Sequence, residues 1–365
     1  MLMLWSPLAS DQALFSLFAS RMEDGSALYR DVWDAKQPGI FWFYQAAGWA
    51  LGSDATKVHV FELLWLLGHA SGMAWFLRSR LRSPWVAGLV PAAVALFYVT
   101  SDIFDLTQIE ILVSPMIGWL CLLLADPKRK PAMFAAGVVA GLIAVFKLLL
   151  LLVPAVLLLV GWFSWGVSRA EKARLLGFFV LGFAVPATLL LLWVWRNDLT
   201  ELVWWTWVEL PLGLGEVAPR PLERLIRSAG AFTAAYALPL LIGVTYLARN
   251  RKALSPVARL LIVAILACAV SILLQYWWGY HFALLVFPVG LLAVMALDET
   301  RSGSTRTGRW QIVAAVLLSA PVLAIGAAKL PDLWGMWSGR ASSGTGRRFP
   351  ITGKRVWRPT RLPRE

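Results

Sequence analysis

A chain of 365 residues that is 59% hydrophobic and only 15% charged, with a mean hydropathy of +0.67, is not a soluble globular domain, which carries about a quarter charged residues. Lys and Arg number 34 against 21 Asp and Glu, a net charge of +13. In a soluble protein that excess would point to nucleic acid. Here apolar stretches of about 15 to 20 residues recur between charged turns, so the excess reads as loops obeying the positive-inside bias, and nucleic acid is set aside as a partner. The composition is that of an all-α polytopic membrane protein.

Met1 to Ala9 is too short to cross a bilayer and lacks the basic segment of a signal peptide. The topology counted below therefore expects one transmembrane helix ahead of this sequence. Residues 11–57 form a first outer segment, with Asp11, Glu23, Asp24, Asp31, Asp34 and Asp54 against Arg21, Arg30, Lys36 and Lys57, interleaved with Trp33, Trp42 and Trp49. Charged yet aromatic-rich, it predicts amphipathic helices lying on the outer membrane surface. From Asp11 to Met22 the apolar residues Leu14, Phe15, Leu17, Phe18 and Met22 fall near one helical stripe. Asp11 stands at its start, where an N-cap aspartate is common.

Spans are expected near 58–77, 84–100, 106–125, 131–147, 148–168, 175–195, 229–248, 257–275, 280–297 and 310–328. Basic clusters fall at alternate turns, at Arg78/Arg80/Arg82, Lys128/Arg129/Lys130, Arg169/Lys172/Arg174, Arg249/Arg251/Lys252 and Arg301/Arg306/Arg309. The intervening turns 101–105, 196–228 and 276–279 are acidic or aromatic and are assigned to the outer side. Residues 132–167 are apolar except for Lys147, and one helix of that length at ~1.5 Å per residue would overshoot a ~30 Å hydrocarbon core. The block must fold back, and a reversal at Lys147 puts its ammonium at the outer interface; the alternative is a snorkelling lysine with no partner. The chain divides into an outer segment at 1–57, a transmembrane bundle at 58–328 and a basic tail at 329–365. That tail, with nine Lys and Arg against Asp332 and Glu365, has no apolar periodicity and reads as disordered. Cys121 and Cys268 lie in apolar runs and are packing residues. Many of the 21 Trp mark the ends of spans, as in an aromatic belt. The Trp204, Trp205 and Trp207 cluster suits interface anchoring, covering the mouth of a site, or stacking on a sugar.

The string Ser10-Asp11-Gln12-Ala13-Leu14-Phe15, then Gly25-Ser26-Ala27-Leu28-Tyr29-Arg30-Asp31-Val32-Trp33-Asp34-Ala35-Lys36-Gln37-Pro38-Gly39, resembles the GT-C glycosyltransferases of the protein O-mannosyltransferase and lipid A aminoarabinose transferase group, the bacterial family 39-like enzymes. Members show an Asp at the start of the first outer loop, a Gly-x-x-x-Tyr-Arg-Asp stretch and Lys-Pro-Pro before an amphipathic helix. Gln37 departs from the pattern at the first proline. The resemblance is strongest over residues 10–52 and runs more weakly to about residue 296. It implies a GT-C-like helical bundle in the bacterial inner membrane, with its site facing the periplasm. It also implies transfer of a sugar from a polyprenyl-phosphate donor to a lipid, glycan or protein acceptor. Weaker echoes are Gln108 with Glu110 near the start of a span, Gly141 followed by Lys147, and Tyr280 with His281.

The chemistry agrees with those residue types. Sugar transfer from a lipid phosphate needs a carboxylate near the anomeric centre, acting as base or as charge partner of an oxocarbenium-like transition state. Asp11 is the candidate. The phosphate must be neutralised as it leaves, for which Lys36, Lys147 and Arg30 are suited. Asp31, Asp34, Gln108, Glu110, Tyr280 and His281 are candidates for the acceptor or a second site. A divalent ion, Mg²⁺ or Mn²⁺, held by Asp11 and Glu110 with the phosphate is compatible with hard oxygen ligands. No phosphate-cradling P-loop, His-Glu-x-x-His, Cys-x-x-Cys or Gly-x-Ser-x-Gly motif is present. The competing readings are a flippase or transporter of lipid-linked sugars, which needs mid-span polar groups that the sequence offers sparsely, and an inactive truncated relative.

Overall fold

The computed structural model describes residues 2–126, 129–214, 221–250 and 253–300. Among them the regular structure is helical. Helices α1 (Asp11–Glu23) and α2 (Gly39–Ala50), the second largely buried, come first. They are followed by α3 (Ala55–Arg78), α4 (Val90–Thr100), α5 (Ile109–Leu124), α6 (Lys130–Phe146), α7 (Leu152–Ser164) and α8 (Arg169–Arg196). Next are α9 (Thr200–Trp204), a π-helical turn at Trp205–Glu209 and α10 (Leu210–Leu214). Last come α11 (Leu222–Ala235), α12 (Ala237–Arg249), α13 (Pro256–Leu273), a 3-10 stretch at Gly279–Leu285 and α14 (Val286–Thr300).

Local chemistry sets the ends. The Asp54 carboxylate caps α3 by accepting from the Lys57 N–H at 3.2 Å, and Ser168 and Ser255 cap α8 and α13 in the same way. Prolines occupy the first turn of α4, α6 and α13, where a missing N–H costs nothing. Arg78, Arg196 and Arg249 in last turns oppose the helix dipole.

Helices α3, α8, α13 and the stretch Gly279–Glu299 are long and apolar enough to cross a membrane. Shorter apolar helices lie at Pro84–Thr100, Ile109–Leu124, Lys130–Phe146 and Leu148–Ser164. Each expected span up to residue 297 is thus helical, while the one expected at 310–328 and the tail at 329–365 lie outside the described residues. The expected span at 229–248 is corrected: α11 and α12 meet at Tyr236 with an 82° bend. The cause is tertiary. Arg224 donates to the Tyr276 carbonyl at 3.2 Å and Ser228 to the Trp277 carbonyl at 3.0 Å, which holds α11 across the end of the bundle.

The core is built on α5, buried along its whole length except at Trp119 and Leu123, as a helix apolar on every side must be. The stretch 279–299 packs beside it and is also largely buried. Helix α8 instead exposes Leu181, Leu189, Leu191 and Trp195, an apolar face that suits lipid. It meets α6 backbone to backbone. A Cβ on Gly182 would lie 2.0 Å from the Phe134 carbonyl oxygen, one on Gly137 2.0 Å from that of Phe179, and one on Gly141 2.3 Å from Pro186 Cγ. Close packing of small residues is how membrane helices gain contact without a hydrophobic drive.

The turns separate by charge. Arg80, Asp126, Arg129 and Lys130 share one cleft, and Asp298 accepts from the Arg82 and Ser83 N–H groups, so these turns lie at one, basic, end. The turns at 103–107, 147 and 276–281 gather with α1, α2 and the π-helical turn at the other.

Candidate functional site

Asp11 is the first residue of α1, and Ser10 rather than Asp11 holds the N-cap position. The Asp11 carboxylate instead faces Lys36, Oδ2 to Nζ 3.6 Å. The same ammonium is 3.5 Å from Asp34 Oδ1 and 5.1 Å from the centre of the Phe15 ring. The Lys36 backbone is held on both sides: its N–H donates to Asp34 Oδ1 at 3.0 Å and its carbonyl accepts from the Tyr29 hydroxyl at 2.7 Å. That hydroxyl accepts from the Trp207 indole at 3.0 Å, and the Trp33 indole donates to Thr206 at 3.2 Å. The π-helical turn thus buttresses the Lys36 loop, an arrangement in which Trp207 supports the site from behind.

Arg30 and Asp31 are not brought into this cluster. The exposed Arg30 guanidinium lies 3.4 Å from Asp31. The other Asp31 oxygen closes a turn on the Ala27 N–H at 2.7 Å, and that hydrogen bond holds its carboxyl below the usual range.

The second cluster forms where α6 ends. Lys147 is extended, with φ −165° and ψ 111°, and the chain reverses there. Its Nζ lies 2.7 Å from Glu110 Oε1 and 2.5 Å from Gln275 Oε1, which overturns the snorkelling lysine with no partner. Glu110, the second residue of α5, is 1% exposed, so it depends on that ammonium: removing one member of a buried pair leaves an uncompensated charge. His281 Nε2 is 3.9 Å from Glu110 Oε1, beyond hydrogen-bond range, and its Nδ1 is buried with no partner among the described residues. Tyr280 packs edge-on against it, centroids 4.6 Å apart. Gln108 turns away and donates to the Phe104 carbonyl at 3.3 Å.

The loop that carries Lys36 packs against the end of α6 that leads into Lys147. Gly39, three residues after Lys36, touches the last turn of α6: a Cβ there would lie 2.8 Å from the Val145 carbonyl oxygen and 2.9 Å from Phe146 Cα. Asp11 and Glu110 each answer a lysine, which is the geometry of ion pairs. Among the described residues no three His, Cys, Asp or Glu group closely enough to hold a metal ion by themselves.

No protein-family model matches the sequence, and no curated protein matches it. The fold is similar to that of ArnT from Cupriavidus metallidurans, solved as a crystal structure in the apo state, with a TM-score of 0.57 and 17% sequence identity over 85% of this chain. The fold is that of an ArnT-like helical membrane bundle. The chain spans 59% of the length of that protein.

Sequence reasoning missed the residues that hold the two clusters in place. Gln12, wholly buried beside Asp11, donates from Nε2 to the Ile103 carbonyl at 2.6 Å and the Leu106 carbonyl at 2.7 Å, and its Oε1 accepts from the Ala9 N–H at 3.1 Å. Gln275, at the end of the expected span 257–275, sits in no motif that singles it out. Glu62, inside an expected span, carried a signal: an intramembrane carboxylate is costly and needs partners.

Proposed function

We propose that this chain is an integral membrane glycosyltransferase that moves a sugar from a polyprenyl-phosphate donor to a lipid, glycan or protein acceptor, at the periplasmic face of a bacterial inner membrane. The observation that carries the proposal is the pair of lysine ammonium groups, each against a carboxylate, at the same end of an apolar bundle. The ArnT-like fold and the motif at residues 10–52 support it. So does the gathering of the buried polar groups Glu62, Gln12, Glu110, Gln275 and His281 at that one end, because a transport path would need them through the middle.

In the proposed reaction, an acceptor hydroxyl attacks the anomeric carbon as its proton passes to Asp11. The bond from that carbon to the phosphate oxygen breaks, and the polyprenyl phosphate leaves with its charge met by Lys36 and Lys147. The donor phosphate adds its oxygens beside the carboxylates that already face the two lysines, so ammonium groups oriented in advance cost little reorganisation. Tyr280 and His281, beside Glu110, are the polar groups proposed to meet the sugar or acceptor. Arg30, at the rim, draws the anionic headgroup in.

The decisive experiment incubates the purified full chain with polyprenyl-phosphate sugars and candidate acceptors and measures product mass. Sugar transfer is the expected result. Lipid translocation without transfer sinks the proposal. A variant pair separates the two duties of Lys147. Lys147→Met alone is expected to cost about 3–5 kcal/mol in thermal unfolding, because Glu110 is left buried and unpaired. Adding Glu110→Gln recovers most of that stability. Affinity for polyprenyl phosphate should stay roughly 10- to 100-fold weaker in the double variant, the value of a charged hydrogen bond. Native affinity in the double variant would remove Lys147 from the phosphate site.

A further inference from the structure

We propose that Glu62 is a positioning residue, whose carboxylate holds the Thr107 turn and thereby sets Glu110 against Lys147 and Asp11 beside Lys36. Its kinetic consequence rests on the transferase reading above, whereas its geometric consequence does not.

Glu62 projects from α3 and is wholly buried. Its Oε1 accepts the Thr107 N–H at 2.7 Å, and its Oε2 accepts the Thr107 hydroxyl at 3.0 Å and the Tyr98 hydroxyl at 3.1 Å. Three donors to one carboxylate make a strong anchor, since hydrogen bonds to a charged acceptor are about twice as strong as neutral ones. The Thr107 hydroxyl, having given its proton to Glu62, is an acceptor toward His59 Nδ1 at 3.1 Å, which assigns the ring proton to that nitrogen.

The anchor is needed because of what the backbone does at Thr107. Its φ is +48°, a left-handed conformation that a β-branched residue avoids. Such strain persists only where surrounding bonds over-determine it. Glu62 grips both the N–H and the side chain of this residue, and the Tyr44 hydroxyl donates to its carbonyl at 3.4 Å. From Thr107 the chain turns into α5, whose second residue is Glu110. On the other side of the turn, the Ile103 and Leu106 carbonyls receive Gln12 Nε2, the residue next to Asp11. One short turn therefore joins α1 to α5, and Glu62 is the charged group at its centre. None of these bonds involves Lys36, Lys147, Asp11 or Glu110, so Glu62 acts through the turn.

The test compares Glu62→Gln, and Glu62→Gln with Thr107→Gly, in the full chain in detergent. It follows acylation of individual lysines by an amine-reactive reagent with peptide mass spectrometry. Glutamine keeps the size but loses the charge and one acceptor oxygen. The expected result is a rise of about fivefold in the labelling rate of Lys147, the scale of one lost hydrogen bond, with no rise at Lys172, whose ammonium donates to the Trp162 carbonyl at the basic end. Because glycine adopts positive φ without cost, Thr107→Gly in the Glu62→Gln chain should bring Lys147 labelling back to within about twofold of the native rate and restore transfer with it. Unchanged labelling of Lys147, an equal rise at Lys172, or no rescue by Thr107→Gly would each overturn the proposal. Absence of sugar transfer by the native chain would sink the transferase reading alone, leaving the labelling comparison to decide the role of Glu62.

Discussion

Asp11→Asn is expected to abolish sugar transfer while leaving the fold in place. Asparagine matches aspartate in shape but cannot take the acceptor proton or face a developing positive charge with a full negative one. A positioned general base contributes about 10²–10⁴-fold to rate, so single-turnover transfer should fall by roughly that factor. Stability should barely move. The Asp11–Lys36 pair is partly open to solvent, with side-chain exposures of 34% and 26% at 3.6 Å, and such pairs contribute at most about 1 kcal/mol. The acid in the first turn of α1 adds a dipole contribution of about 0.3–1 kcal/mol. Affinity for polyprenyl phosphate should hold or rise, because Lys36 loses a competing carboxylate. The measurements are product mass after a single turnover, thermal unfolding in detergent and lipid-phosphate binding. An Asp11→Asn protein with native transfer would remove Asp11 from the chemistry.

Gly182→Ala should be among the most damaging single methyl groups that can be added. Its Cβ would lie 2.0 Å from the Phe134 carbonyl oxygen and 3.0 Å from the Val138 N–H nitrogen, and backbone atoms cannot escape by changing rotamer. Helices α6 and α8 must separate, which opens the facing contact at Gly137 as well. Overpacking costs about 1–3 kcal/mol where side chains can yield, so the loss here should reach about 3 kcal/mol or more. The control is Gly177→Ala on the same helix, where a Cβ meets nothing within 4 Å; removing a helical glycine there should be neutral or stabilise by up to about 1 kcal/mol. Thermal unfolding of both variants checks the contrast, and equal melting would sink it. Since α6 ends at Phe146, the residue before Lys147, a displaced α6 should also weaken lipid-phosphate binding.

Hydropathy made the helical layout legible because burial in lipid is a local, additive property of some twenty residues in a row. Lys147 shows how far that reaches. An apolar block too long for one span had to reverse near its single charge, and it does. The bend at Tyr236 was not legible, because α11 is turned by the bonds that Arg224 and Ser228 make to Tyr276 and Trp277, a segment distant in sequence. The aromatic string at 204–207 left three readings open. The structure uses Trp207 and Thr206 to hold Tyr29 and Trp33, a pairing across more than 170 residues.

The sequence by itself determined that the chain is a membrane bundle, where it reverses near Lys147, and which charged residue types stand in its loops. Composition and periodicity carry that information along the chain. Which charges meet was decided only by tertiary structure. Glu110 and Gln275 reach Lys147 from 37 and 128 residues away, and Gln12 reaches the turn before α5 from more than 90. In an apolar interior a buried charge or amide is tolerated only with its partners in place, and those partners are chosen by how the helices pack, down to the bare backbone contacts at Gly39 and Gly182.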